Sequence, residues 1–112
     1  MTTLLPTDAD NKTIPVMRLK GGGAHAIAAS GASARNATAF PADTRVVSLF
    51  ATVPVYVRFG ASTVTATSSD HYFPEGTYYD FAIGDGDKGP HATHVAVLAV
   101  SGTGTVYISE KE

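Results

Sequence analysis

The chain of 112 residues contains no cysteine. Disulfide staples and thiolate metal sites are therefore excluded, and redox usage says nothing about compartment. Charge is also scarce: only 16% of residues are charged, against about 25% in an ordinary globular domain. The eight Lys and Arg are scattered and the net charge is −2. Nucleic-acid binding needs a clustered cationic footprint, and the sequence has none. No apolar run approaches the roughly 20 residues that a membrane-spanning helix requires. The first residues, Met1-Thr2-Thr3-Leu4-Leu5-Pro6-Thr7-Asp8, lack a positive patch followed by an apolar stretch. The expectation is a soluble protein made in the cytoplasm without a signal peptide. Long amphipathic helices are missing too, and strands do not alternate with helices, which argues against a parallel α/β sheet.

What is present is a succession of short stretches with a period of two. In Val55-Tyr56-Val57-Arg58-Phe59-Gly60, Val55, Val57 and Phe59 share one side while Tyr56 and Arg58 take the other. In Thr105-Val106-Tyr107-Ile108-Ser109, Val106 and Ile108 oppose Thr105, Tyr107 and Ser109. Such alternation marks strands with one buried face. Further strands are expected over 45–52, where Val46, Val47, Leu49 and Phe50 are strong β-formers, over 71–73, over 77–83 and over 93–100, the most apolar and hence central strand. Residues 14–20 read as a first strand. Gly21-Gly22-Gly23 reads as a flexible break, and Ala24 to Ser30 as a strand in preference to a short helix. Turn signals recur every eight to twelve residues, among them Pro74-Glu75-Gly76 and Ser101-Gly102-Thr103-Gly104. The pattern predicts an all-β fold: a small antiparallel β-sandwich, jelly-roll-like, or a barrel of six to eight short strands. Residues 1–13 read as a flexible N-terminal arm and residues 14–112 as a single β domain.

Candidate chemistry is thin. Gly84-Asp85-Gly86-Asp87-Lys88-Gly89 resembles the opening of an acidic calcium loop, but the twelfth position counted from Asp85 is Ala96 and not a glutamate. The calcium pattern fails there, and a solvated turn accounts for the segment better. His91 and His94 would share a face only on a helix; His25 and His71 could join them only through folding. No metal site is expected. Asp70-His71 are neighbours whose side chains diverge on a strand. No serine occupies a Gly-x-Ser-x-Gly elbow, and Glu75, Asp80 and Asp85 have no spacing that singles them out as a carboxylate pair. Gly21-Gly22-Gly23 lacks the Lys-Ser/Thr pair of a phosphate loop. No catalytic residue and no cofactor are therefore assigned. Tyr72, Phe73, Tyr78, Tyr79 and Phe81 gather around Pro74-Glu75-Gly76, which reads as one aromatic hairpin. Its outward tyrosines suit sugar or protein contact, while cross-strand pairing of the rings is the purely structural account.

The strand ending in Phe59-Gly60, the Thr/Ser-rich segment Thr63 to Asp70, the turn Phe73-Pro74-Glu75-Gly76, the strand His94 to Leu98 and the last hairpin Ser101-Gly102-Thr103-Gly104-Thr105 form a succession. It resembles small β-rich structural and accessory proteins of tailed phages, prophages and gene transfer agents, over about residues 45–110. The resemblance implies a virion component such as a head-decoration, spike-base or fibre-attachment module. Such a protein acts by assembly with other capsid or tail subunits and as a homo-oligomer, and no catalytic residue carries over. Arg58, Tyr72 and Tyr78 are the expected surface contacts. A carbohydrate-binding module, with a glycan as ligand, and a small metal-dependent hydrolase on a jelly-roll scaffold are the alternative readings.

Overall fold

Alternation sets the strands. Val47, Leu49 and Ala51 point inward from their strand, as do Val55 and Val57, Val95, Val97 and Ala99, and Val106 and Ile108; all of them are buried. The computed structural model describes residues 9–10, 17–84 and 90–112. Among these, eight strands form: β1 (Leu19–Ala29), β2 (Ala34–Arg35), β3 (Val46–Ala51), β4 (Val55–Gly60), β5 (His71–Phe73), β6 (Tyr78–Ala82), β7 (His94–Ala99) and β8 (Gly104–Lys111). They make two four-stranded antiparallel sheets, in the orders β1-β8-β3-β6 and β2-β7-β4-β5. The first strand pairs with the last, the second with the seventh, the third with the sixth and the fourth with the fifth. The chain is thus one long hairpin rolled up into a sandwich, the jelly-roll topology.

One apolar core lies between the sheets. Ile27, Leu49, Val106 and Ile108 come from the first sheet and Val55, Val57, Val95 and Val97 from the second, and Phe40 joins them from the β2–β3 connection. A fully buried aliphatic side chain of this kind contributes about 1.5–3 kcal/mol.

Three details differ from the sequence reading. Gly21, Gly22 and Gly23 do not break the chain; they lie inside β1, where the register to β8 shifts between Leu19 and Ala24. Gly22 sits there at φ +77°, a left-handed conformation that costs glycine little. β2, a two-residue strand, is not among the expected strands. Finally, β5 and β6 are not a hairpin: β5 pairs with β4 and β6 with β3, in different sheets. The segment around Pro74-Glu75-Gly76 is a crossover between sheets, and Gly76 N anchors it by donating to Ala51 O at 3.0 Å. The proposed arm, apart from Ala9 and Asp10, the opening residues of the expected first strand (14–16) and the acidic loop over 85–89 lie outside the described residues.

Candidate functional site

The crossover decides where the aromatic residues go. β5 and β6 each present alternate residues outward, but on opposite sides of the sandwich. Tyr72 stands on the outer face of the second sheet, opposite Tyr56, with ring centroids 6.0 Å apart. Arg58 is on that side as well, its side chain 59% exposed. Tyr78, 70% exposed, stands on the outer face of the first sheet. The three expected contact residues are all at the surface, yet they do not make one surface.

The two outer faces differ in kind. The β4–β5 connection, residues 61–70, folds back over the second sheet. Val64 O accepts from Arg35 Nη1 at 3.1 Å, and Ser33 Oγ accepts from Ala66 N at 2.8 Å. Asp70 Oδ2 accepts from Thr67 N at 2.7 Å, tightening the end of the segment. Ala66 is buried, and so is Ala96 on the strand β7.

The first sheet has no such roof among the described residues. One register row runs straight across its four strands: Ala26, Tyr107, Phe50, Tyr78. The Phe50 and Tyr78 rings are 4.8 Å apart, within the range of favourable aromatic contact. The adjacent row is Ala24, Ser109, Ser48, Asp80. Lys111 Nζ donates to Asp80 Oδ1 at 2.7 Å, so the two charges of this region neutralise each other. The face is nearly uncharged, aromatic along one line and lined with alanine at its β1 edge.

A second cluster is buried at the other side of that same sheet. The phase of Val106 and Ile108 carries on to Glu110, which therefore points into the sandwich; its side chain is 4% exposed. His25 Nε2 donates to Glu110 Oε2 at 2.7 Å, and the Thr44 hydroxyl donates to Oε1. Lys20 Nζ donates to Thr44 Oγ1 at 3.0 Å and to Asp43 Oδ1 at 2.9 Å, and lies 3.7 Å from Glu110 Oε1. The Asp43 carboxylate raises the Lys20 ammonium pKa above its ordinary value, and Lys20 in turn lowers that of Asp43. The imidazole of His25 meets the Phe40 ring edge to face at 5.0 Å. Each buried polar group of this set has a partner, as buried charge requires. Both oxygens of Glu110 are occupied, and Thr44 is buried, so its hydroxyl is not presented to a substrate. The cluster ties β1, β8 and the β2–β3 connection together. Sequence reasoning missed it, although the period of two through Val106 and Ile108 would have found Glu110.

The remaining histidines stay apart. His91 Nε2 donates to Thr44 O at 2.8 Å, and His94 Nδ1 is hydrogen-bonded to Thr93 Oγ1 at 2.8 Å. His71 is at the free edge of β5, next to Asp70. Among the described residues, no three His, Asp or Glu side chains converge as metal ligands would. No described helix is long and apolar enough to cross a membrane. No family model, curated protein or solved structure matches the chain.

Proposed function

We propose that this chain is a non-enzymatic assembly protein, a structural or accessory subunit of a phage-like particle, that docks through the outer face of its first sheet. The observation that carries this reading is the contrast between the two outer faces. Part of one is covered by the chain's own 61–70 segment, over Ser33, Arg35 and Ala96, with Tyr72 left exposed toward its β5 edge. The other leaves Tyr107, Phe50 and Tyr78 in one row, with 49% of Tyr107 and 70% of Tyr78 accessible. Aromatic residues combined with little net charge mark the core of a protein–protein contact. A neutral face also suits a second copy of the same chain, because a two-fold contact sets a patch against itself.

Light scattering over a concentration series tests the self-association directly. A stable oligomer that Tyr78→Lys with Tyr107→Lys converts to a folded monomer supports the reading. A wild-type monomer at high concentration that is also absent from purified particles overturns it.

The same row favours one second reading, a carbohydrate-binding module. Neighbouring strands are about 4.8 Å apart, so Tyr107, Phe50 and Tyr78 form one aromatic line that would offer sugar rings a stacking surface. Binding on a glycan array, lost in Tyr78→Ala, would select this reading over assembly.

A further inference from the structure

β4 outruns its neighbour. β5 pairs with it only from Val55 to Val57, opposite Phe73 to His71, whereas β4 continues to Gly60. Past His71 the sandwich therefore opens between β4 of one sheet and β6 of the other. The opening is a cleft of about 610 Å³, within the roughly 300–1,000 Å³ range of small-molecule sites.

Its floor is aromatic. Phe59 and Phe73 each contact Phe81 across the gap, with ring centroids 5.4 and 5.3 Å apart. All three rings remain only half-buried, so the core has not closed over them. Its mouth carries Arg58, His71 and Asp70. One oxygen of Asp70 is already engaged: its Oδ2 accepts from Thr67 N at 2.7 Å and Thr67 Oγ1 at 3.3 Å, and its side chain is only 15% exposed. Its Oδ1 lies 3.9 Å from Arg58 Nε, too far for a hydrogen bond. The two form a loose ion pair without a hydrogen bond, so an anionic ligand would compete with Asp70 for the guanidinium at the mouth of the apolar pocket.

We propose that this cleft binds a small ligand with a flat apolar body and a single anionic group, such as an aryl carboxylate. The body packs against Phe59, Phe73 and Phe81, edge-to-face as Phe73 and Phe81 meet or tilted as Phe59 and Phe81 do. The carboxylate takes paired hydrogen bonds from Arg58, the side chain best shaped for that group, with His71 as the second donor. A neutral ligand of the same shape leaves the Arg58 donors unused and binds more weakly.

The test is an amide and side-chain NMR titration of the full chain with 3-phenylpropionate, its neutral analogue 3-phenylpropan-1-ol, and the variant Arg58→Gln. Arg58 is exposed and outside the core, so the variant folds. The expected result is saturable shifts at Phe59, His71, Phe73 and Phe81 with a Kd in the millimolar range or below. The alcohol, and the acid with Arg58→Gln, should each bind about tenfold or more weaker. Absence of saturable shifts, shifts centred elsewhere, or equal affinity for acid and alcohol would overturn the proposal. The outcome is independent of the assembly reading, since the cleft and the docking face are on different parts of the surface.

Discussion

Glu110 Oε2 lies 2.7 Å from His25 Nε2, although the two residues are 85 positions apart in the chain. The contact joins the first strand to the last, neighbours in one sheet, on the inner face of that sheet. The Thr44 hydroxyl holds the other carboxylate oxygen, and Lys20 stands 3.7 Å away. Removing the carboxylate leaves His25, Thr44 and Lys20 without their common acceptor. Glu110→Ala is expected to lower stability by about 3 kcal/mol, the usual cost of breaking one side of a buried pair. Glu110→Gln keeps the shape and one acceptor and should cost about 1–2 kcal/mol. Urea unfolding curves with unchanged slopes check both; a loss under about 0.5 kcal/mol for the alanine variant would mean the network does not hold β1.

Stability should fall at both ends of the pH scale for reasons located at Lys20 and Asp43. Lys20 is raised above its ordinary 10.5 by Asp43, so its contribution is complete below that value and disappears as pH climbs through the raised pKa. Asp43 is lowered below its ordinary 3.8 by Lys20. Its contribution is complete above 3.8 and is lost as pH drops through the lowered pKa. The melting temperature of Lys20→Met should therefore lack the part of the alkaline and acid decline that this pair causes. Identical pH profiles for variant and wild type would show that the pair is thermodynamically silent.

The glycines in β1 are not equivalent. A Cβ on Gly23 would stand 2.7 Å from the Cβ of Glu110, whereas one on Gly21 meets nothing within 4 Å. Gly23→Ala must push Glu110 aside in a packed interior, and overpacking of this sort costs about 1–3 kcal/mol. Gly21→Ala should be neutral to within about 0.5 kcal/mol. Thermal unfolding of the two variants in parallel decides the matter, and equal losses would refute the distinction.

The roof over the second sheet is held by few contacts, of which the Ala66 N to Ser33 Oγ bond is the most direct. Ser33→Ala removes that acceptor and should cost about 1 kcal/mol. Its sharper signature is local. Hydrogen exchange at the Ala66 amide should accelerate while amides of β3 and β8 keep their protection. Uniform acceleration across the protein would instead tie the segment to global unfolding.

Much of the strand content was legible beforehand. The alternation in 55–60 and 105–109 placed Val55, Val57, Val106 and Ile108 inward, and these residues are buried. The strand expected over 77–83 contains β6, in which exposed Tyr78, Asp80 and Ala82 alternate with half-buried Tyr79 and Phe81. Neighbourhood was harder to read. A short turn motif between two aromatic strands looks like a hairpin, but β5 and β6 each find a partner elsewhere, which splits Tyr72 from Tyr78. Three glycines in a row fit a linker as well as a bulge, because glycine permits both. Pairing with β8 on both sides of them, Leu19 with Lys111 and Ala24 with Ser109, is what makes them part of a strand.

The division has a physical cause. Which side of a strand each residue occupies follows from the backbone's own two-residue period, a local property that the order of amino acids carries unaided. Which strands become neighbours depends on hydrogen bonds and packing between segments far apart in the chain, as between Ala26 and Tyr107 or Val47 and Glu110. Only that long-range pairing aligned Tyr107, Phe50 and Tyr78 into one row. It also laid residues 61–70 over one sheet and stopped β5 short enough to leave an aromatic cleft beside Arg58.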